Sequence, residues 1–278
     1  MNAERLPPGL YIVATPIGNL GDLSPRAVDT LRRSDLVLAE DKRVTAKLLS
    51  HAGAKTKLAN YSDHTSEVER GVIVARLGGE AIALVSDAGT PLISDPGYKL
   101  VRAARKAGHA VHTVPGPSAV IAALTLAGLP TDRFLFAGFL PPKDKARRDA
   151  LIDIAGVRAT LVFYESGPRL ADTLSAIRDV LGEREAAVIR EISKLYEECV
   201  TGSVSELADR YESQAPKGEI VIVVGPPPEK PDASDEELDA ALKEVLKQLS
   251  PSRAAAEVAS TLNVPRKRAY ARALELSR

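Results

Sequence analysis

The sequence predicts an α/β protein: a parallel-type sheet wound by helices, then a second α/β half with a mixed sheet, then a small helical module. Three observations carry this. Short apolar runs without polar alternation, the mark of strands buried on both faces, recur at residues 10–14, 36–39 and 82–85. Strand patterns end three times in turns rich in Gly and Pro, at residues 15–22, 87–97 and 115–118, each with a helix pattern behind it. Beyond Pro226 the strand patterns stop and apolar residues recur at helical spacing. In open α/β sheets ligands bind at the carboxyl ends of strands, where those turns lie. Gly and Pro there keep main-chain N–H and C=O groups out of ladders and available to a ligand.

Composition sets outer limits. The 278 residues, 45% hydrophobic and 27% charged, describe an ordinary globular chain with room for more than one core. The apolar run at residues 119–129 is interrupted by Thr125 and Gly128 and is too short to span a bilayer, so no membrane partner is expected. The N-terminus has no apolar h-region and no cleavage pattern, which leads us to expect a cytoplasmic protein. One cysteine, Cys199, excludes an internal disulfide framework and a cysteine zinc cluster, and reads as an inert small hydrophobe. The formal net charge of zero means that any nucleic-acid footprint is local.

In order, the strand at 10–14 runs into the first turn, and Ser24-Pro25 opens a helix with Ser as N-cap and Pro at the first helical position. The strand at 36–39 ends in Glu40-Asp41-Lys42-Arg43, and a helix follows to about Ala52. Residues 57–60 form a short strand, a polar loop follows, and a helix runs over about 67–77. The central strand ends at Asp87, and a helix over 98–107 leads to a strand at 111–114. His109 and His112 fall three apart on an extended segment and face opposite ways, so they are no metal pair; no metal is expected. Residues 118–127 read as a buried helix.

Residues 128–132 offer a break between domains, giving 1–117, 118–225 and 226–278 as the expected division. The second part carries strands at 134–138, 160–164, 185–189 and 220–224, a basic helix from Lys143, and a helix capped by Ser203 with Glu206. Residues 226–231 form a Pro-rich linker. Ser234 and Glu237 form a further capping box, Ser250-Pro251 opens a helix ending near Asn263, and Val264-Pro265-Arg266 opens a basic one. The order is that of a helix-turn-helix module, and Arg266, Lys267 and Arg268 on its last helix point to nucleic acid.

No GxGxxG or GK[ST] fingerprint is present. Instead the chain carries, in order, Ala14-Thr15-Pro16-Ile17-Gly18-Asn19-Leu20-Gly21-Asp22, Ala39-Glu40-Asp41, Ser86-Asp87-Ala88-Gly89-Thr90-Pro91 with Ser94-Asp95-Pro96-Gly97, and Pro115-Gly116-Pro117-Ser118-Ala119. Gly138-Phe139-Leu140-Pro141, Phe163-Tyr164-Glu165-Ser166 and Arg190-Glu191-Ile192-Ser193-Lys194 complete the set. Together they closely resemble the ribosomal RNA small subunit methyltransferase I (RsmI) family, a branch of the tetrapyrrole methylases. The likeness spans residues 10–225, and the terminal helices are similar to that branch's helix-turn-helix extension. It departs at Lys42, where the family often has Thr, and at Gly167-Pro168, where it often has Pro-His; no histidine base is assigned there.

The resemblance implies a tetrapyrrole-methylase-like two-domain fold with a cofactor cleft between domains, S-adenosylmethionine as donor, and 2′-O-methylation of a cytidine ribose in small-subunit (16S) ribosomal RNA. It further implies a homodimer, with the RNA expected in the assembled subunit. Pro16, Ile17, Asp87, Ala88, Gly89, Thr90, Ser118, Ala119, Tyr164, Gly218 and Glu219 are then the cofactor-binding candidates. A ribose hydroxyl needs a general base. Asp41, Asp87, Glu165 and Glu191 are candidates, with Lys194 as charge stabiliser or base. Phosphate contacts fall to Arg43, Lys143, Arg147, Arg169, Arg190, Lys194, Arg266, Lys267 and Arg268. Two alternatives stay open: methylation of a tetrapyrrole, against which the lack of Trp and the 4% aromatic content speak, and a non-catalytic RNA- or ribosome-binding protein of the same fold.

Overall fold

A computed structural model describes residues 5–213, 215–228, 233–262 and 264–277. The first half alternates strand and helix: β1 (Gly9–Val13), α1 (Pro25–Arg33), β2 (Leu36–Ala39), α2 (Lys42–Ala52), β3 (Leu58–Asn60), α3 (Glu67–Arg76), β4 (Ala81–Leu84), α4 (Tyr98–Lys106) and β5 (Val111–Val114). Its sheet is parallel throughout, in the order β3-β2-β4-β1-β5. Alternate residues serve two cores. Tyr11, Val13, Val37, Ala83 and Val85 pack under α1 and α2, while Leu10, Ile12, Leu38, Ile82 and Leu84 pack under α3 and α4. This two-sided burial is why the strands lack polar alternation.

The next helix, α5 (Ala119–Ala127), leaves that sheet and covers a second one. The second sheet is built from β6 (Phe134–Phe139), β7 (Thr160–Ser166), β8 (Glu185–Arg190), β9 (Glu198–Ser203) and β10 (Glu219–Val224), in the order β6-β7-β10-β8-β9. Only β6 and β7 pair in parallel; the other pairings are antiparallel. One face carries α6 (Asp144–Ile154), α7 (Leu170–Leu181) and α8 (Val204–Glu212) over Leu161, Phe163, Val188 and Ile222. The other meets α5 through Val162, Ala187, Ile189 and Val223. The helix, expected to be buried throughout, is buried on one side only, at Val120, Ala123, Leu124 and Ala127, while Ile121, Thr125 and Leu126 are exposed.

Several expectations need correction. The segment between β8 and α8, where no strand is expected, contains β9, an edge strand whose residues are part-buried or exposed, which leaves no apolar signature. Cys199 lies on β9 and is exposed, so it is not a buried hydrophobe. His109 precedes β5, and His112 stacks on Tyr11 at 4.6 Å between ring centroids. The two sheets lie in one unit, residues 1–227.

The second unit, residues 228–278, holds α9 (Asp235–Val245), α10 (Pro251–Leu262) and α11 (Arg266–Leu276) around Leu238, Leu242, Ala255, Val258 and Ala269. Ser234 caps α9 in a capping box with Glu237. Arg272 on α11 holds Asp239 on α9 through two hydrogen bonds, at 2.5 and 2.7 Å. Asn263, and residues 229–231 of the expected linker, lie outside the described residues. Among the described residues no helix is long and apolar enough to cross a membrane.

Candidate active site

The turns that end the strands of the first sheet face the second sheet across a cavity of about 310 Å³. Ile17, from the turn after β1, and Ala88, Gly89 and Thr90, from the turn after β4, form one wall with Ser118 and Ala119 at the start of α5. Tyr164 and Glu165 of β7, Ile192, and Gly218 to Val221 at the start of β10 form the other. Cross-links fix the first wall. Thr15 and Gly89 exchange two main-chain hydrogen bonds, and the Thr90 hydroxyl donates to Pro117 O at 3.1 Å. Gly89 has φ +78°, and a Cβ there would stand 3.2 Å from Ile17 Cγ2, so bare backbone borders the space. Tyr164 is wedged edge-on between Phe136 and Phe139, and burial raises its phenol pKa, helped by Asp95 and Glu219.

Nine of the eleven cofactor-binding candidates line this space. Two do not: Pro16 is buried, and Asp87 is exposed and lines neither this cavity nor its neighbouring recess, its Oδ1 accepting from the Asp41 N–H at 3.1 Å.

The base candidates prove to be engaged. Asp41 caps α2 and pairs with Arg43 at 2.7 Å, and those hydrogen bonds draw its pKa down to about 2. The Glu165 side chain is 0% exposed; its carboxylate accepts from Ser166 N and from Thr173 Oγ1 at 2.6 Å, and pairs with Arg169 at 3.3 Å. Glu191 accepts from Lys194 Nζ at 2.8 Å and from Glu219 N at 3.0 Å, which hold its pKa below the usual carboxylate value. Burial pulls the Lys194 ammonium down, but Glu191 and Glu219 outweigh it and raise its pKa, so it stays charged and is no base.

The basic candidates divide similarly. Arg147 is 4% exposed and faces Asp144 and Asp172, so it holds α6 to α7 and is withdrawn from any phosphate. Arg169 also donates to Leu140 O, Arg190 to Glu198 and Lys217 O, and Arg268 to Ala233 O and Asp235; each has a structural tie. Arg43, though paired with Asp41, is exposed, as are Lys143, Arg266 and Lys267.

Ile93, Ser94, Asp95, Phe139, Ser166, Ile192, Ile220 and Val221 also line the cavity without having been singled out. Asp95 stands apart. It borders a second, open recess formed by Glu40, Ser62, Asp63, His64, Ser94 and Pro96. Its pKa is pushed up to about 6, first by burial and then by the Glu40 carboxylate, with Asp87 adding and the Ser86 hydroxyl opposing. The loop that presents it is strained, with Leu92 at φ 76° and Ser94 at φ 63°. Glu191 and Ser193, on the facing loop, also have positive φ. The quoted motif contained Asp95, but its environment comes from residues distant in sequence.

Residues 9–208 match the Tetrapyrrole (Corrin/Porphyrin) Methylases family. A protein of Erythrobacter litoralis called ribosomal RNA small subunit methyltransferase I is 57% identical over 276 residues, covering 99% of this chain and 98% of its own. The chain belongs to the ribosomal RNA small subunit methyltransferase I family. A second member of this family, from Mesorhizobium japonicum, is 47% identical and covers 99% of this chain and 94% of its own. Residues 232–277 match the RsmI C-terminal HTH domain, so the terminal helices belong to the family as well. Among solved structures, diphthine synthase superposes with a TM-score of 0.60 at 13% identity, over 78% of this chain and 89% of its own. Uroporphyrin-III C-methyltransferase of Thermus thermophilus, complexed with S-adenyl homocysteine, gives 0.54 at 20% identity, over 78% and 97%. These two likenesses speak for the fold alone.

Proposed function

We propose that the protein transfers a methyl group from S-adenosylmethionine to the 2′-oxygen of a cytidine ribose in small-subunit ribosomal RNA. The observation that carries this reading is the cavity between the two sheets, with bare backbone and apolar side chains inside and an open recess at one edge. The names of the relatives support the coarser statement, methylation of ribosomal RNA. The ligand of the Thermus thermophilus structure supports the donor. The residues present fit that donor. Ile17, Ile93, Ala119, Ile192 and Val221 offer flat apolar contact for an adenine, and Gly89 and Gly218 put bare backbone at the cavity wall. When bound, the donor supplies an electrophilic sulfonium methyl.

The chain's own task is then positioning. The acceptor oxygen must be held within about 3–3.5 Å of the methyl carbon, in line with the departing sulfur. Ser118 and the first N–H groups of α5 would bind the donor's carboxylate, since a helix N-terminus favours an anion. Tyr164, fixed by two phenyl rings, would close the space over the donor. Exposed Arg43 and Lys143 would meet phosphates. The reading also expects a homodimer in the cytoplasm acting on the assembled subunit; sedimentation, and subunits compared with naked RNA, check this.

The decisive experiment is transfer of labelled methyl from S-adenosylmethionine to small subunits lacking the modification, with nuclease mapping. A nuclease-resistant methylated cytidine dinucleotide is expected; label on a base, or none on RNA, refutes the reading. Calorimetry should show one donor per chain, and binding should vanish in Gly89→Trp, whose side chain would occupy the cavity.

A further inference from the structure

Methyl transfer to a ribose hydroxyl requires somewhere for the hydroxyl proton to go. Asp41 and Glu191 are held by Arg43 and Lys194, which lowers their basicity; the oxygens of the enclosed Glu165 are taken up by Ser166, Thr173 and Arg169; and Asp87 lines neither the cavity nor the recess. Asp95 differs. Among the described residues no Lys or Arg pairs with it, and with Ser94 it forms the partition shared by the cavity and the recess. An acceptor entering through the recess therefore meets Asp95 where the donor space begins.

The loop is built to hold Asp95 there. Left-handed backbone at Leu92 and Ser94 turns the chain twice within three residues. Gly97, at φ +136°, lies so close to Leu84 and Leu92 that a Cβ would stand 2.7 Å from Leu84 Cδ2, which pins the loop to the core. Strain of this kind persists only where surrounding packing overrides it, and it concentrates at functional sites.

We propose that Asp95 is the general base of the transfer, taking the proton of the acceptor hydroxyl that enters from the recess beside Glu40 and Asp63. The assignment rests on the methyl-transfer reading above. In the step, the hydroxyl O–H bond breaks and its proton passes to the Asp95 carboxylate. An oxygen lone pair forms the new O–C bond, and the C–S bond breaks with its electron pair staying on sulfur, leaving a neutral thioether. The recess then lets the proton escape to water.

Charged and titratable groups reach Asp95 from several elements: Glu40 after β2, Asp63 and His64 before α3, Asp87 after β4 and Tyr164 on β7. None of these is a Lys or Arg. Burial and the neighbouring carboxylates put the Asp95 carboxyl at about 6, close to where a base works at neutral pH.

The test uses full-length protein and small subunits lacking the modification, in single turnover, with Asp95→Asn and Asp95→Glu. Asp95→Asn is expected to bind S-adenosylmethionine within about threefold of wild type while transfer falls about 100-fold or more. Asp95→Glu should recover part of the rate. The wild-type rate should rise with pH to a plateau above about 6, and a carboxyl titrating near that pH in the donor-free protein should vanish from the carbon NMR spectrum of Asp95→Asn. Near-normal transfer by Asp95→Asn, or a loss fully explained by weaker donor binding, overturns the assignment alone. A wild type inert toward RNA overturns the RNA reading and the assignment with it.

Discussion

Asp95 carries a cost that a stability measurement can expose. Its folded-state pKa is raised above that of the unfolded chain, so its favourable contribution is complete below the unfolded value near 3.8 and is lost as pH rises through about 6. At pH 7 to 8 the charged carboxylate therefore destabilises the fold. Asp95→Asn should melt higher than wild type at pH 7.5 and no higher at pH 3.5, while transferring methyl poorly, the trade expected of a functional group held in an unfavourable place. Gly97 gives the opposite outcome. At φ +136° and with Leu84 Cδ2 2.7 Å from a would-be Cβ, Gly97→Ala combines backbone strain with overpacking and should lose about 2–4 kcal/mol in chemical denaturation. The sequence made Gly97 visible as a turn residue, and placed Ala88, Gly89, Thr90, Ser118 and Ala119 in the strand-end turns that border the cavity, because turn chemistry is local. It gave Asp95 no role, because that role arises from Glu40 and Asp87, brought beside it by sheet order.

Among the elements, those with local signals were legible. Buried strands such as β1, β2 and β4 showed as apolar runs, and the caps at Ser24, Ser203 and Ser234 showed as Ser with Pro or Glu at set spacings. β9 did not show, since an edge strand reading Glu-Cys-Val-Thr-Gly-Ser is defined by its partner β8 and not by its own composition. The basic helix α6 was legible as basic but not in its orientation. Arg147 turns inward toward Asp144 and Asp172, and its Nε makes no hydrogen bond. Arg147→Met should therefore leave RNA affinity and its salt dependence unchanged, measured by titration at several ionic strengths, whereas Lys143→Ala should weaken binding. Ser203→Ala removes the acceptor that caps α8 and should lower stability by about 1 kcal/mol in urea denaturation.

At the scale of the whole molecule, the zero net charge leaves RNA attraction to local groups. In the helical unit Arg272 is tied to Asp239, while Arg266 and Lys267 lie exposed. The double substitution Arg266→Ala with Lys267→Ala should reduce the slope of log affinity against log salt by about 1–2 if both meet phosphates, whereas Arg272→Ala should melt the three helices earlier. The order β3-β2-β4-β1-β5 bears on how the protein is made. β1 leaves the ribosome before the other strands of its sheet, yet its neighbours there are β4 and β5, with Leu10 registered against Ile82 and Val111. An apolar strand must wait, unpaired on both edges, while the intervening chain is synthesised. Such long-range parallel pairing folds slowly and leaves edges open to aggregation. Nascent chains halted before Val111 should therefore be held by chaperones or precipitate, and chains extended past α5 should resist protease, so that β5 marks the point in translation at which the first sheet can close.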